Sequence, residues 1–319
     1  MKVHHISLLT GDFKQNFHFY VDILGLRFIK NSINQGNIYM RHVYYGDFLG
    51  SPGSVITFFP DKRFARERVD GANFLSGIRL RIPQGSLDFW LARFADFKIE
   101  VSHAVNGVLT LSDFDGVPVE LSEEGEPLFD WHINFLSEVP AEYQIAGLLG
   151  TTMYAADFAA SEQFFDDMIE NPSGVCLVPN QTRKGIRSGW GAGSVDHIAF
   201  AVESHHELDA IWEKAKKLGY MRELYVDRGY FNSVYLLEPN GCRIEFATTN
   251  PGFTTDESVK DLGTSFLIPA RFEGKRAELL RYYEKQGVKF DEVAPYEGTG
   301  RVGNLPIVPI LGEKRRGSL

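Results

Sequence analysis

Val3-His4-His5-Ile6-Ser7-Leu8-Leu9-Thr10, followed by Asp12-Phe13-Lys14-Gln15-Asn16-Phe17-His18-Phe19-Tyr20-Val21-Asp22-Ile23-Leu24-Gly25, decides how this chain folds. The first run reads as a strand. In the second, Phe13, Phe17, Tyr20, Val21 and Leu24 recur at the three-and-four spacing of an amphipathic helix, and Gly25 supplies a C-terminal stop. Strands expected near 26–33, 38–45 and 54–59 complete a βαβββ unit of about fifty residues. The pattern recurs. A second unit begins at about Phe74 and closes with Gly116-Val117-Pro118-Val119-Glu120-Leu121, and a third runs from Ile145 with a helix at about 158–169. A fourth starts near Ser194, has its helix at about 205–218 and ends at Ala247.

The separators are the acidic Ser122-Glu123-Glu124-Gly125-Glu126-Pro127 and the glycine-rich Ser188-Gly189-Trp190-Gly191-Ala192-Gly193. The latter lacks a Gly-Lys-Ser/Thr ending and precedes a strand, so it is expected to be a flexible connector, not a phosphate loop. Residues 251–319 leave the repeat. With Pro251-Gly252-Phe253 and a helix-like run at about 273–286, they are expected to pack on the repeats and border a pocket. The expectation is an α+β fold of four βαβββ modules. Modules one and two form a domain over 1–125, modules three and four a second over 140–250, and 251–319 is a C-terminal extension.

Composition narrows the function. The 319 residues are 44% hydrophobic and 24% charged, ordinary for a soluble globular protein. A net charge of −9 argues against nucleic acid, which is bound mainly through Lys and Arg. No apolar run approaches the roughly 20 residues needed to cross a bilayer, so no membrane partner is expected. The N-terminus enters a strand at once, leaving no room for a signal peptide. Cys176 and Cys242 alone offer neither a disulfide framework nor a Cys-based zinc site. Together these give a cytoplasmic expectation.

Two histidines stand inside strand runs, His5 and His197 in Val195-Asp196-His197-Ile198-Ala199-Phe200-Ala201-Val202, and Glu245 stands in Arg243-Ile244-Glu245-Phe246-Ala247. Two imidazoles and one carboxylate with open positions beside them are typical of mononuclear non-haem Fe(II) oxygenase sites. Side chains alternate along a strand, so His5 shares a face with Val3, Ser7 and Leu9, and His197 with Ala199 and Ala201. Equivalent first-strand positions in the four units read His5, Gly77, Leu149 and His197. The last-strand positions read Thr57, Glu120, an unclear residue and Glu245. Only units one and four keep histidines, so the site is expected between them. A carboxylate buried in Ile-Glu-Phe without a partner costs several kcal/mol, and a cation is the simplest remedy. Glu120 lacks histidine partners and reads as structural or solvated. His103, His132, His205 and His206 fall in loops or helix starts with no matching acid, and surface roles are expected for them.

Over roughly residues 3–249 the chain resembles the vicinal oxygen chelate superfamily, and within it the ring-cleaving dioxygenases that open hydroquinones. The carrying residues are Val3-His4-His5-Ile6, Asp22-Ile23-Leu24-Gly25-Leu26, Val195-Asp196-His197-Ile198-Ala199-Phe200 and Asp227-Arg228-Gly229-Tyr230-Phe231-Asn232-Ser233-Val234-Tyr235. They continue through Glu238-Pro239-Asn240-Gly241 into Ile244-Glu245-Phe246-Ala247-Thr248 and Pro251-Gly252-Phe253. The resemblance implies modules paired into half-barrels that cup Fe2+, with Mn2+ as the alternative, held by His5, His197 and Glu245. It implies a small aromatic diol and O2 as partners and a role in quinone detoxification, and it leaves homo-oligomerisation open. It gives Tyr235 the part of a phenolic partner of the substrate oxygen and makes Arg228 a pocket cation. His4 becomes an acid/base; on simple strand geometry it points away from His5, so a bulge or twist must bring it in. Leu149 excludes the catechol-type arrangement with histidines from units three and four. Thr57, in place of a fourth ligand, leaves roughly three octahedral positions open. It counts against a glyoxalase-like Ni or Zn lyase or isomerase, and retention of three ligands counts against a metal-free drug-binding protein. Asp196 and Ser7 depart from the family pattern and bear on substrate preference.

Overall fold

The computed structural model describes residues 1–169 and 174–296. Module one comprises β1 (Val3–Thr10), α1 (Phe13–Phe17, prolonged by a wider π-helical turn to Ile23), β2 (Arg27–Asn34), β3 (Asn37–Gly46) and β4 (Val55–Pro60). Asp12 starts α1 because its carboxylate accepts the Lys14 and Gln15 N–H groups at 2.9 and 3.2 Å. Gly25 ends the turn at φ +74°, where a side chain would be strained.

Module two contains β5 (Phe74–Pro83), α2 (Leu87–Asp96), β6 (Val101–Val105), β7 (Val108–Ser112) and β8 (Pro118–Gly125). Module three has β9 (Gly147–Ala155), α3 (Phe158–Met168) and β10 (Val175–Pro179). Module four has β11 (Val195–Val202), α4 (His205–Leu218), β12 (Met221–Asp227), β13 (Asn232–Leu237) and β14 (Arg243–Thr248). The extension adds β15 (Phe266–Leu267) and α5 (Arg276–Lys285). Among the described residues no helix is long and apolar enough to cross a membrane.

The third unit corrects the expectation of four complete modules: a single strand, β10, follows its helix among the described residues. Residues 181–194 carry no alternating apolar run and instead lie along 66–72. Val69 and Gly189 exchange both backbone hydrogen bonds, and the Ala72 and Ala192 N–H groups donate to the Ile186 and Arg66 carbonyls. The glycine-rich connector is therefore tied down.

Two sheets result. One has nine strands in the order β12-β13-β14-β11-β1-β4-β3-β2-β15, the other six in the order β10-β9-β5-β8-β7-β6. Each sheet takes one module from residues 1–125 and one from 140–250, pairing one with four and two with three. At the centre of the larger sheet β1 runs antiparallel to β11, and each is flanked by its own parallel last strand, β4 or β14. A continuous core buries Ile6 and Leu8 of β1 and Ile198 and Phe200 of β11 with Phe19, Tyr20, Leu208 and Ile211 of the helical segments. The opposite face carries a smaller cluster, Tyr44, Val55, Ala199, Ala247, Phe231 and Phe253 among them, which walls the site. The extension borders that site as expected. β15 pairs with β2, and Arg271 donates to the Asp227 carbonyl and to Gln35 at the rim.

Candidate metal centre

Three strands bring together the residues that the sequence singled out. His5 Nε2 lies 3.2 Å from His197 Nε2 and 3.2 Å from Glu245 Oε2, and His197 Nε2 lies 2.8 Å from the same oxygen. All three side chains are buried, and they are the one His/Cys/Asp/Glu cluster of metal-holding geometry among the described residues. Register explains the convergence. Glu245 stands beside Ala199, two residues past His197, and Thr57 stands beside Ser7, two residues past His5. The same register puts Glu120 beside Arg79 and Val175 beside Thr151 in the smaller sheet. The unclear third-unit position is thus Val175. Glu120 pairs with Arg79 at 3.3 Å, in keeping with a structural reading.

Each histidine is preceded by a β-bulge. Between Val3 and His5, β1 advances two residues while β11 advances one, which makes His4 the extra residue. Between Ser7 and Leu8 the imbalance reverses, and Asp196 is the extra residue on β11. Bulges re-aim side chains beside active sites. Here both turn the bulged residue toward its neighbour's Nδ1: His4 Nδ1 lies 2.9 Å from His5 Nδ1, and Asp196 Oδ2 lies 2.6 Å from His197 Nδ1. The bulge that His4 required is present. It also breaks the simple alternation, since Val3 joins the helix-side core and does not share the His5 face.

These contacts settle the tautomers. The Thr248 carbonyl can only accept, so His4 donates to it from Nε2 at 3.1 Å. Burial, and then the neighbouring His5, push His4 down to about 3, so it is neutral and its Nδ1 accepts from His5 Nδ1–H. Asp196, which the Arg243 guanidinium holds at 2.9 Å, accepts from His197 Nδ1–H. Both histidines therefore turn an Nε2 lone pair toward Glu245, as second-shell partners of metal ligands do. Both Glu245 oxygens are buried without a hydrogen-bond donor. Three converging acceptors with nothing between them fit a cation.

Without one, a proton takes its place. Burial alone would lower His197, but Glu245 and Asp196 outweigh it and hold His197 up to about 9. Burial lowers His5 despite Glu245. Burial would raise Glu245, yet the two histidines hold it well below the usual carboxylate range. The sign follows: a metal must displace the His197 proton, so its apparent affinity should weaken about tenfold per pH unit as pH falls below about 9. Loading at neutral pH should release about one proton. Calorimetry in two buffers of different ionisation enthalpy measures that release; identical heats would contradict it.

The cluster opens into a cavity of about 540 Å³. Tyr235 is the direct cross-strand partner of Glu245, so both point the same way, and it meets His197 edge-on at 5.5 Å between ring centroids. Arg228 Nε donates to the Tyr235 hydroxyl at 3.2 Å. Burial and then the Glu245 charge push the Tyr235 phenol well above 10, which keeps it protonated as a donor. Both Tyr235 and Arg228 line the cavity, whereas His4 does not; its ring contacts Phe231, His5 and the Thr248 carbonyl. That placement conflicts with a direct acid/base part for His4. Its outer proton is committed to a carbonyl, which cannot pass one on.

Sequence reasoning missed His42 and Tyr44 of β3, which line the same cavity. His42 bonds Thr57 Oγ1 at 2.9 Å and the Tyr44 hydroxyl at 2.7 Å, and Ser7 Oγ lies 2.7 Å from Thr57 Oγ1. A histidine at 42 within the alternating β3 was the available signal. His132 does have an acid partner, Asp47 at 2.7 Å, contrary to expectation. His205 and His206 are exposed at the start of α4, and His103 lies in β6.

Fold and site together define a βαβββ-module protein with a His2Glu centre able to hold a metal in the cup between its first and last modules. The chain belongs to the glyoxalase/bleomycin resistance protein/dioxygenase superfamily, whose family model matches residues 149–246. Bacillus subtilis (strain 168) MhqA, named as a ring-cleaving dioxygenase, is 30% identical over 305 residues, covering 87% of this chain and 96% of its own. The chlorohydroquinone/hydroquinone 1,2-dioxygenase of Sphingobium indicum is 27% identical over 318 residues, covering 88% and 94%. A solved Bacillus subtilis structure described as a dioxygenase superposes with a TM-score of 0.79 at 27% identity, over 92% of this chain and 98% of that one. Maize glyoxalase I, with a TM-score of 0.53 at 12% identity over 78% and 92% of the two chains, shares the fold.

Proposed function

We propose that this protein is a ring-cleaving dioxygenase dependent on Fe(II), with Mn(II) as the alternative, that inserts O2 into a hydroquinone-type aromatic diol. The observation that carries the reading is the convergence of the His5 and His197 Nε2 atoms on Glu245, with Thr57 in the symmetry-equivalent fourth position. His5, His197 and Glu245 would hold the metal. When bound, it supplies a redox-active centre with open positions at which a diol and dioxygen meet. The names of the relatives supply the hydroquinone.

In this reading the chain's residues act around that centre. Arg228, cationic beside Tyr235 and Glu245, attracts and holds the anionic oxygen of the diol. Tyr235, fixed by Arg228, donates a hydrogen bond to charge developing on the substrate. His4 and Asp196 keep the two ligand histidines in one tautomer and orientation. Phe231, packed on His4 and His5 at 5.0 and 5.2 Å, shields that face from water. A physiological role in removing quinone-type electrophiles, in a cytoplasmic setting, goes with the reading.

The test is anaerobic reconstitution with Fe(II), then oxygen uptake with methylhydroquinone, catechol and a glutathione hemithioacetal in parallel. Uptake is expected with methylhydroquinone. Absence of uptake with either diol, or disproportionation of the hemithioacetal, would overturn the assignment.

A further inference from the structure

The cavity is larger and more one-sided than a bare ring requires. Its floor is the His2Glu cluster, and β1 and β4 lead away from it in unbroken parallel register: His5 beside Val55, Ser7 beside Thr57, Leu9 beside Phe59. At about 3.3 Å per residue, Leu9 and Phe59 stand roughly 13 Å up the strands from His5. A benzenediol is about as long as two strand residues, roughly 7 Å, so a ring held at the cluster covers the Ser7–Thr57 level and stops. Beyond it Leu9, Phe59, Met40 and Phe64 add apolar surface, with Trp190 half exposed; the His42 ring stacks on Phe59 at 4.3 Å between centroids, and Asn34, Gln35 and Asn37 supply the polar part of the lining. A volume of about 540 Å³ lies within the range of sites for drug-sized ligands.

The facing wall makes no competing demand. Arg243 already pairs with Asp196 at 2.9 Å and with Glu223 at 2.5 Å, so these charges satisfy one another.

We infer that the substrates of this site are hydroquinones carrying an apolar substituent of about five carbons or more, seated between Leu9, Phe59, Phe64 and Trp190. The inference rests on the ring-cleaving reading above and specifies its substrate class. The distance fits, because roughly 7 Å from the ring edge to the Leu9–Phe59 level is the reach of an extended chain of that length.

The test takes hydroquinone and its methyl, butyl and hexyl derivatives through two measurements on the Fe(II)-loaded protein: anaerobic calorimetry for Kd and oxygen uptake for kcat/KM. A buried methylene is worth about fourfold, and only the outer two or three methylenes of a hexyl chain reach the Leu9–Phe59 level, so Kd is expected to fall about thirtyfold from methyl to hexyl, with kcat/KM rising in step. In Phe59→Ala and Trp190→Ala the hexyl-to-methyl ratio should shrink to within about threefold. Trp190 lies in a surface loop, so its replacement reads the subsite even if Phe59→Ala folds poorly. A flat series with methylhydroquinone still consumed would overturn the substituent and leave the ring-cleaving reading standing. Tightening Kd without oxygen uptake by any member would overturn that reading and keep the subsite. A chain-length gain undiminished in both variants would overturn the assignment of these residues.

Discussion

Glu245→Gln is expected to fold normally and to lose bound metal, with turnover falling about a thousandfold or more. The amide matches the carboxylate in size, so the packing of the fully buried side chain is kept. What is lost is the negative charge on which both Nε2 atoms converge at 3.2 and 2.8 Å. That charge is also the first of the influences that hold His197 up to about 9 against burial, so His197 in the metal-free variant should hold its proton less tightly than in the parent. Removing one partner from a buried charge cluster is strongly felt because the others stay desolvated. Metal content after reconstitution, read beside circular dichroism, decides the matter. A variant that holds stoichiometric iron would sink the three-ligand assignment.

Tyr235→Phe should separate chemistry from metal binding. The ring still fills its place opposite Glu245 and against His197, and the cluster keeps all three donors. The hydroxyl that Arg228 orients is gone. Loss of one preorganised donor to developing charge typically costs about 10²–10³ in kcat, and that is the expected fall, with metal content unchanged. The split between constants is informative. A rise in KM at constant kcat would mean that Tyr235 only binds the ground state, and the role proposed for it would fail.

Much of this was legible in the linear chain because local periodicity and tertiary position coincide in a repeated module. The helix at 205–218 agrees with α4 because both ends carry local signals: Ser204 accepts the Glu207 N–H at 3.3 Å, and Gly219 turns at φ +81°. Aligning four units placed His5 and His197 in one slot and Thr57 and Glu245 in another, and the strand register agrees with that alignment. Module three was less legible. Its expected later strands are a loop whose backbone partners, residues 66–72, lie over a hundred residues earlier. No local pattern encodes such a pairing.

The residues around the cluster divide in the same way. Tyr235 was reached through the family resemblance, and the β13–β14 pairing sets it opposite Glu245. For His42 the sequence offered only a histidine within an alternating strand; its importance depends on β3 lying beside β4, so that its ring reaches Thr57. The parts of His4 and Asp196 were likewise hidden. Strict alternation points each away from its neighbour, and only the two bulges in the β1–β11 pairing reverse that.

Strand and helix periods and the cost of burying a carboxylate are local properties, so the linear chain carried the module, its repetition outside the third unit, and the identity of the three converging side chains. Tertiary contacts fixed the rest: Thr248, His4 and Asp196 set the histidine tautomers, and Leu9 and Phe59 continue the line of Ser7 and Thr57 away from the cluster. Each of these depends on register between strands distant in sequence. A one-residue bulge there redirects a side chain without altering any pattern that the chain shows in one dimension.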